Sequence, residues 1–185
     1  KKHFGIKIQH GNKMPVKVQV PPENVETIKN NKVTFVKNFS DIEDKYDFNF
    51  LVSLIESVGT PVDFKDNDNS FFKKVFQIKK LKGYVKDFNF IQDFLQKFFK
   101  YYPDDRDNCD IFFSFQSTSG LSHLDIEDVF IVGLEGEVMN KTFGEVLNYY
   151  TIHKGDMIYI PKGVQHKVIG LSPRVTLSVG FYGRK

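Results

Sequence analysis

Tryptophan is absent and cysteine occurs once, as Cys109, in a chain of 185 residues. One thiol cannot form an intramolecular disulfide, which points to a reducing compartment rather than a disulfide-stapled secreted module. No run approaches the roughly 18 to 20 apolar residues that a membrane-spanning helix needs. The start, Lys1-Lys2-His3-Phe4-Gly5, lacks an apolar run followed by a small-residue cleavage site, so no secretory signal is read there and a cytoplasmic location is expected. An excess of one charge is missing as well. Twenty-six basic and 23 acidic residues are interspersed and leave +3, which excludes a bulk electrostatic pull toward nucleic acid or membrane.

What is plentiful is phenylalanine, 20 residues of it, within a composition that is 41% apolar. Such a chain can bury a sizeable core, and its length suits one domain. Ile6 to Val20 alternates apolar and polar residues, predicting one or two strands that Pro21-Pro22 would end. Lys32 to Phe39 reads as a strand, with a turn and then a helix over the apolar stretch Phe48 to Ile55. A polar turn is expected over Lys65 to Ser70, and strand or loop over Phe71 to Tyr84. Phe90, Ile91, Phe94, Leu95, Phe98 and Phe99 recur at three-and-four spacing, predicting an amphipathic helix over Phe88 to Tyr101 with Asp87 as its cap.

From Asp110 the period changes to two. Ile111 to Gln116, Val129 to Leu134, Thr142 onward, Met157 to Ile160 and Val175 to Phe181 read as strands punctuated by glycines. Strands without crossover helices predict a closed or sandwiched antiparallel sheet.

Two stretches of this half carry chemistry. Ser122-His123-Leu124-Asp125 places an imidazole and a carboxylate two residues apart, a spacing that puts both on one face of an extended segment. Gly155-Asp156 and Pro161-Lys162-Gly163 bracket Met157 to Ile160 and lead to His166, which barrel closure would return to the same point. Two His and one carboxylate are the facial ligand set for non-haem Fe(II), with positions left open for O2. His3, His10 and His153 have no spacing partner, and Cys109 reads as a small buried hydrophobe.

Ser122 to Gly136, Gly155 to His166 and Val175 to Phe181, in this order, resemble a cupin-like JmjC-type Fe(II)- and 2-oxoglutarate-dependent oxygenase. The resemblance implies a mainly β fold with N-terminal helices, a double-stranded β-helix of the jelly-roll or cupin kind. It divides residues 1–185 into N-terminal strands and helices (1–109) packed on a core barrel with the metal site (110–185). It also implies His123, Asp125 and His166 as metal ligands and catalytic centre, Fe(II) as cofactor, 2-oxoglutarate as co-substrate, and O2. The expected outcome is hydroxylation of a C–H bond in a protein side chain, a nucleic-acid (tRNA) base or a small metabolite.

The far carboxylate of 2-oxoglutarate requires a cation. The family commonly carries it near the position of Val138, which cannot serve, so Lys141 and Arg174 compete for that role, with Thr118 and Ser178 as assisting hydroxyls beside Ser117, Ser119 and Thr176. Lys73-Lys74 and Lys79-Lys80-Lys82 would suit an acidic or nucleic-acid partner if they were more than a solvated face. The chain stops at Lys185, leaving no room for the C-terminal extension through which many relatives dimerise; a monomer or weak dimer is expected, with no membrane partner. The competing reading of the same motifs is a non-oxidative metal-binding cupin enzyme or a binding module. It fits Gly155 to His166, but ordinary metal cupins tend to show His-x-His followed by Glu where this chain has His-x-Asp.

Overall fold

The computed structural model describes residues 16–42, 46–58, 63–64, 75–144 and 146–184. Most of the stretch from Ile6 to Val20, the turn 65–70, Lys73-Lys74, His3 and His10 lie outside these.

The elements in order are α1 (Pro22–Lys29), β1 (Thr34–Val36), α2 (Phe48–Val58), β2 (Asp63–Phe64), β3 (Phe76–Ile78), α3 (Lys86–Phe98), β4 (Asn108–Ser114), β5 (Asp128–Glu135), β6 (Val138–Phe143), β7 (Leu147–Ile152), β8 (Met157–Ile160), β9 (Gln165–Gly170) and β10 (Arg174–Phe181). A seven-stranded antiparallel sheet runs β1-β8-β5-β10-β4-β3-β2, and a three-stranded sheet runs β7-β6-β9. The segment Thr118 to His123 extends the smaller sheet along β9: Gly170 N–H donates to Thr118 O at 2.8 Å, Gly120 N–H to Val168 O at 3.1 Å, and His123 and His166 exchange backbone bonds at 2.9 Å. The fold is a double-stranded β-helix.

Strand alternation separates two cores. On β10 and β5, Val175, Leu177, Val179, Phe181, Phe130, Val132 and Leu134 face the helices and join Leu54, Phe88, Ile91 and Leu95 in one apolar cluster. The opposite face of β5, Val129 and Ile131, packs inside the barrel with Val138, Ile152, Ile158 and Ile160. By the same alternation Arg174, Thr176 and Ser178 of β10 face the barrel interior. Phenylalanine fills the helix-side layer: Phe130 stacks on Phe99 at 5.6 Å and tilts against Tyr159 at 4.9 Å. Each such buried ring contributes about 1.5–3 kcal/mol.

Local expectations change at three places. Pro22 opens α1 instead of ending a segment, because proline is tolerated at the first helical position, where its missing N–H is unpaired anyway. The helix expected from Phe88 begins at Lys86, and Asp87 is not its cap: Val85 holds that place, while the Asp87 carboxylate accepts from Tyr46 Oη. β6 starts at Val138, before Thr142, with β7 following it, and β9 is a strand where only a projecting histidine was expected. Lys79, Lys80 and Lys82 lie exposed in the connection from β3 to α3.

Candidate metal centre

His166 is the second residue of β9 and is 1% exposed, while His123 pairs with it from the adjoining segment. That segment is not a regular strand. His123 makes an isolated bridge, and Asp125 follows in extended chain whose intervening Leu124 points outward, 60% exposed. The alternation that was expected of a strand therefore holds over three residues only.

The turn motif explains why Asp125 is held. Gly163, at φ 76°, donates its N–H to Asp125 O at 2.8 Å, and Lys162 N–H donates to Asp128 Oδ1 at 3.0 Å. Pro161-Lys162-Gly163 thus ends β8 and ties the Asp125 segment to the start of β9. In the partner motif, buried Asp156 accepts from Asn38 N–H at 2.8 Å and His153 N–H at 3.1 Å, so its role is to hold the turn.

Each of His123, Asp125 and His166 offers one donor atom, and these lie within 4.8 Å of one another. Asp125 Oδ1 is 3.7 Å from His123 Nε2, and Oδ2 is 3.4 Å from His166 Nε2. Both imidazoles face backbone carbonyls through Nδ1, His123 to Leu121 O and His166 to Val164 O, each at 3.0 Å. A carbonyl only accepts, so Nδ1 carries the proton and Nε2 presents its lone pair to the centre. Burial pushes His166 below the usual imidazole range, which favours the neutral form a metal requires. Among the described residues this is the one such cluster of His, Cys, Asp and Glu. The donor set suits Fe(II): two neutral nitrogens and one carboxylate on one side, with the other side open.

The two candidate cations lie on opposite faces. On β6, Val138, Asn140 and Thr142 are buried and alternate with half-buried Met139, Lys141 and Phe143. Lys141 Nζ sits over the rings of Phe143 at 4.9 Å and Tyr149 at 5.5 Å, on the outer face of the small sheet. It is turned away from the barrel, so the expectation that it holds the co-substrate is corrected by strand parity. Arg174 is 2% exposed and faces inward. Its Nη1 donates to Ser114 Oγ at 2.9 Å and to Thr118 O at 2.8 Å, both neutral. Burial alone draws it down to about 10, with no carboxylate among the causes. A guanidinium stays charged there at neutral pH, so the barrel wall holds a positive charge with no anion beside it among the described residues.

Thr118 enters this site through its backbone carbonyl, while Ser178 lies half-buried on the face of β10 shared by Arg174 and Thr176. Ser117 Oγ donates to Leu171 O at 2.8 Å, closing the outer turn. Gly170, read as one of the glycines that punctuate the strands at turns or close approaches, is a close approach: a Cβ there would meet Arg174 Nη1 at 1.9 Å and Thr118 O at 2.5 Å, so only glycine leaves room for the guanidinium. Ser114 and Asn140 were missed. Their signal was polarity at an inward position of an alternating strand.

Residues 138–185 match the JmjC domain family. No curated protein matches the chain. Among solved structures it is similar to the Escherichia coli ribosomal oxygenase YcfD, with a TM-score of 0.72 at 18% identity over 93% of this chain and 54% of that one. YcfD in complex with cobalt and 2-oxoglutarate gives a TM-score of 0.69 at 19% identity, over 92% and 54%. At this identity the likeness is one of fold, the double-stranded β-helix. The chain spans about half the length of these oxygenase chains. No helix among the described residues is long and apolar enough to cross a membrane.

Proposed function

We propose that the protein is an Fe(II)- and 2-oxoglutarate-dependent oxygenase that hydroxylates a C–H bond of a protein side chain. His123, Asp125 and His166 would hold the metal, and Arg174 the far carboxylate of 2-oxoglutarate, with Ser114 and Thr118 O fixing the guanidinium and Ser178 on the same wall. Fe(II) on this ligand set supplies O2 activation, coupled to conversion of 2-oxoglutarate to succinate and CO2 with one oxygen atom entering the C–H bond. The residues do the rest: two carbonyl-anchored imidazoles keep Nε2 deprotonated, Asp125 balances charge, and the apolar cluster of Val129, Ile131, Ile158 and Ile160 closes that part of the barrel to water.

The observation that carries this reading is Arg174, a buried cation in the barrel wall without a counter-ion among the described residues. Such a charge is costly unless an anion completes it. The substrate class follows from the open side. The His123 side chain is half exposed, and its neighbours Leu121, Leu124 and Ile126 are 82%, 60% and 75% exposed, an aliphatic rim suited to apolar flanks of a polypeptide. A base-binding rim would offer aromatic platforms and cations instead. The ribosomal oxygenases of the same fold agree with a macromolecular target.

The test is Fe(II)-dependent conversion of 2-oxoglutarate to succinate with O2 uptake. Wild type is expected to show it and His166→Ala to lose it. Absence of turnover in the wild type, with or without added polypeptide, would remove the oxygenase reading.

A further inference from the structure

Asn140 is completely buried, and both its Nδ2 and Oδ1 lack a hydrogen-bond partner among the described residues. Nothing local can satisfy it. β6 is the central strand of its sheet, and its backbone groups are taken up in ladders with β7 on one side and β9 on the other. Its inward neighbours are Val138 and Thr142 along β6 and Tyr150 and Val168 across it, and its amide is paired with none of them, so a leucine would be the cheaper occupant.

Its height in the barrel is informative. The register of β6 on β9 places Thr142 beside His166, Asn140 beside Val168, and Val138 beside Gly170. Gly170 is the residue against which the Arg174 guanidinium rests. Asn140 therefore stands one inward position from the metal end and one from the cation end, level with the middle of any acid that spans the two. Arg174 reaches the interior from the large sheet and Asn140 from the small one, on facing walls.

We infer that Asn140 is a co-substrate-recognition residue, its Nδ2 donating a hydrogen bond to a carboxylate oxygen of the bound 2-oxo dicarboxylic acid. This rests on the oxygenase reading above and assigns the orphaned amide a partner. It divides the anchoring of one acid between a cation that supplies charge and an amide that supplies direction. Where Val138 leaves the small sheet without a cation, the next inward residue of the same strand supplies a neutral donor.

The experiment titrates 2-oxoglutarate into the Mn(II)-loaded full chain by calorimetry and records the melting temperature without ligand. Asn140→Leu is expected to weaken 2-oxoglutarate binding by about tenfold or more. Its Mn(II) affinity should stay unchanged and its ligand-free melting temperature should equal or exceed that of wild type, because two unpaired polar atoms are removed. Asn140→Asp should bind more weakly than Asn140→Leu, since a second carboxylate would face the acid. Asn140→Ser, smaller and still a donor, should fall between wild type and Asn140→Leu, and it decides the matter if the leucine variant does not fold. Affinity of Asn140→Leu within twofold of wild type, or of Asn140→Ser within twofold where the leucine variant does not fold, overturns the inference while leaving the oxygenase reading intact. Wild type that binds Mn(II) but takes up no 2-oxoglutarate overturns both.

Discussion

The two faces of β10 are built for opposite purposes. Val175, Leu177, Val179 and Phe181 pack against helices in a layer of rings and aliphatic chains, while Arg174, Thr176 and Ser178 turn a charge and two hydroxyls into the barrel. On one face the four apolar side chains of β10 are packed into a single core cluster. On the other, Arg174 is incomplete, and Asn140 across the barrel is incomplete with it. Stability and ligand binding are thus separable along a single strand, and substitutions on the two faces should fail in different ways.

The sharpest contrast comes from the helix side. Phe130→Ala leaves a cavity amid Phe99, Tyr101, Tyr159 and Phe181 and should cost about 3–5 kcal/mol, seen as a large fall in melting temperature. Below that temperature its Mn(II) stoichiometry should match wild type. At the barrel mouth, His166→Ala should lower Mn(II) affinity by roughly 100-fold or more, on the scale at which even outer-shell partners cost 10–100-fold, with the metal-free fold retained. Calorimetric Mn(II) titration beside circular dichroism separates the two outcomes.

Inside the barrel, Arg174→Met should weaken 2-oxoglutarate by roughly 10–100-fold, the value of a charge-assisted hydrogen bond, while leaving the melting temperature equal or higher. Lys141→Ala, on the outer face, should change that affinity less than twofold; a larger loss would reverse the assignment between the two cations. The smallest effect is titration of the metal-free protein. Because burial holds folded His166 below its ordinary 6.5, the unfolded chain binds the proton first, so stability falls as pH drops from about 6.5 through the folded value. His166→Gln should flatten that part of a melting-temperature against pH curve.

The barrel strands and the cluster of His123, Asp125 and His166 were legible because their signals are local: alternation over Val129 to Leu134, a His-x-Asp pair, and turn residues at fixed offsets before His166. The polar lining was not. Which of Lys141 and Arg174 faces inward depends on strand parity, and parity depends on where β6 begins, at Val138 and not at Thr142. Asn140 was invisible for the same reason. Once β6 begins at Val138, a buried amide flanked by Val138 and Thr142 breaks the local pattern, and such breaks mark functional positions. Pro22 shows the reverse case, a residue read as a stop that is equally a helix start.

The central claim is that one barrel interior holds a metal at His123, Asp125 and His166 and a 2-oxo acid that reaches from it to Arg174. The most direct measurement is the visible spectrum of the anaerobic protein titrated with Fe(II) and 2-oxoglutarate together. A weak charge-transfer band is predicted that needs both components, saturates at one equivalent of Fe(II), is lost in His166→Ala and requires much more 2-oxoglutarate in Arg174→Met. No band in the wild type, or a band that survives His166→Ala, would contradict the account.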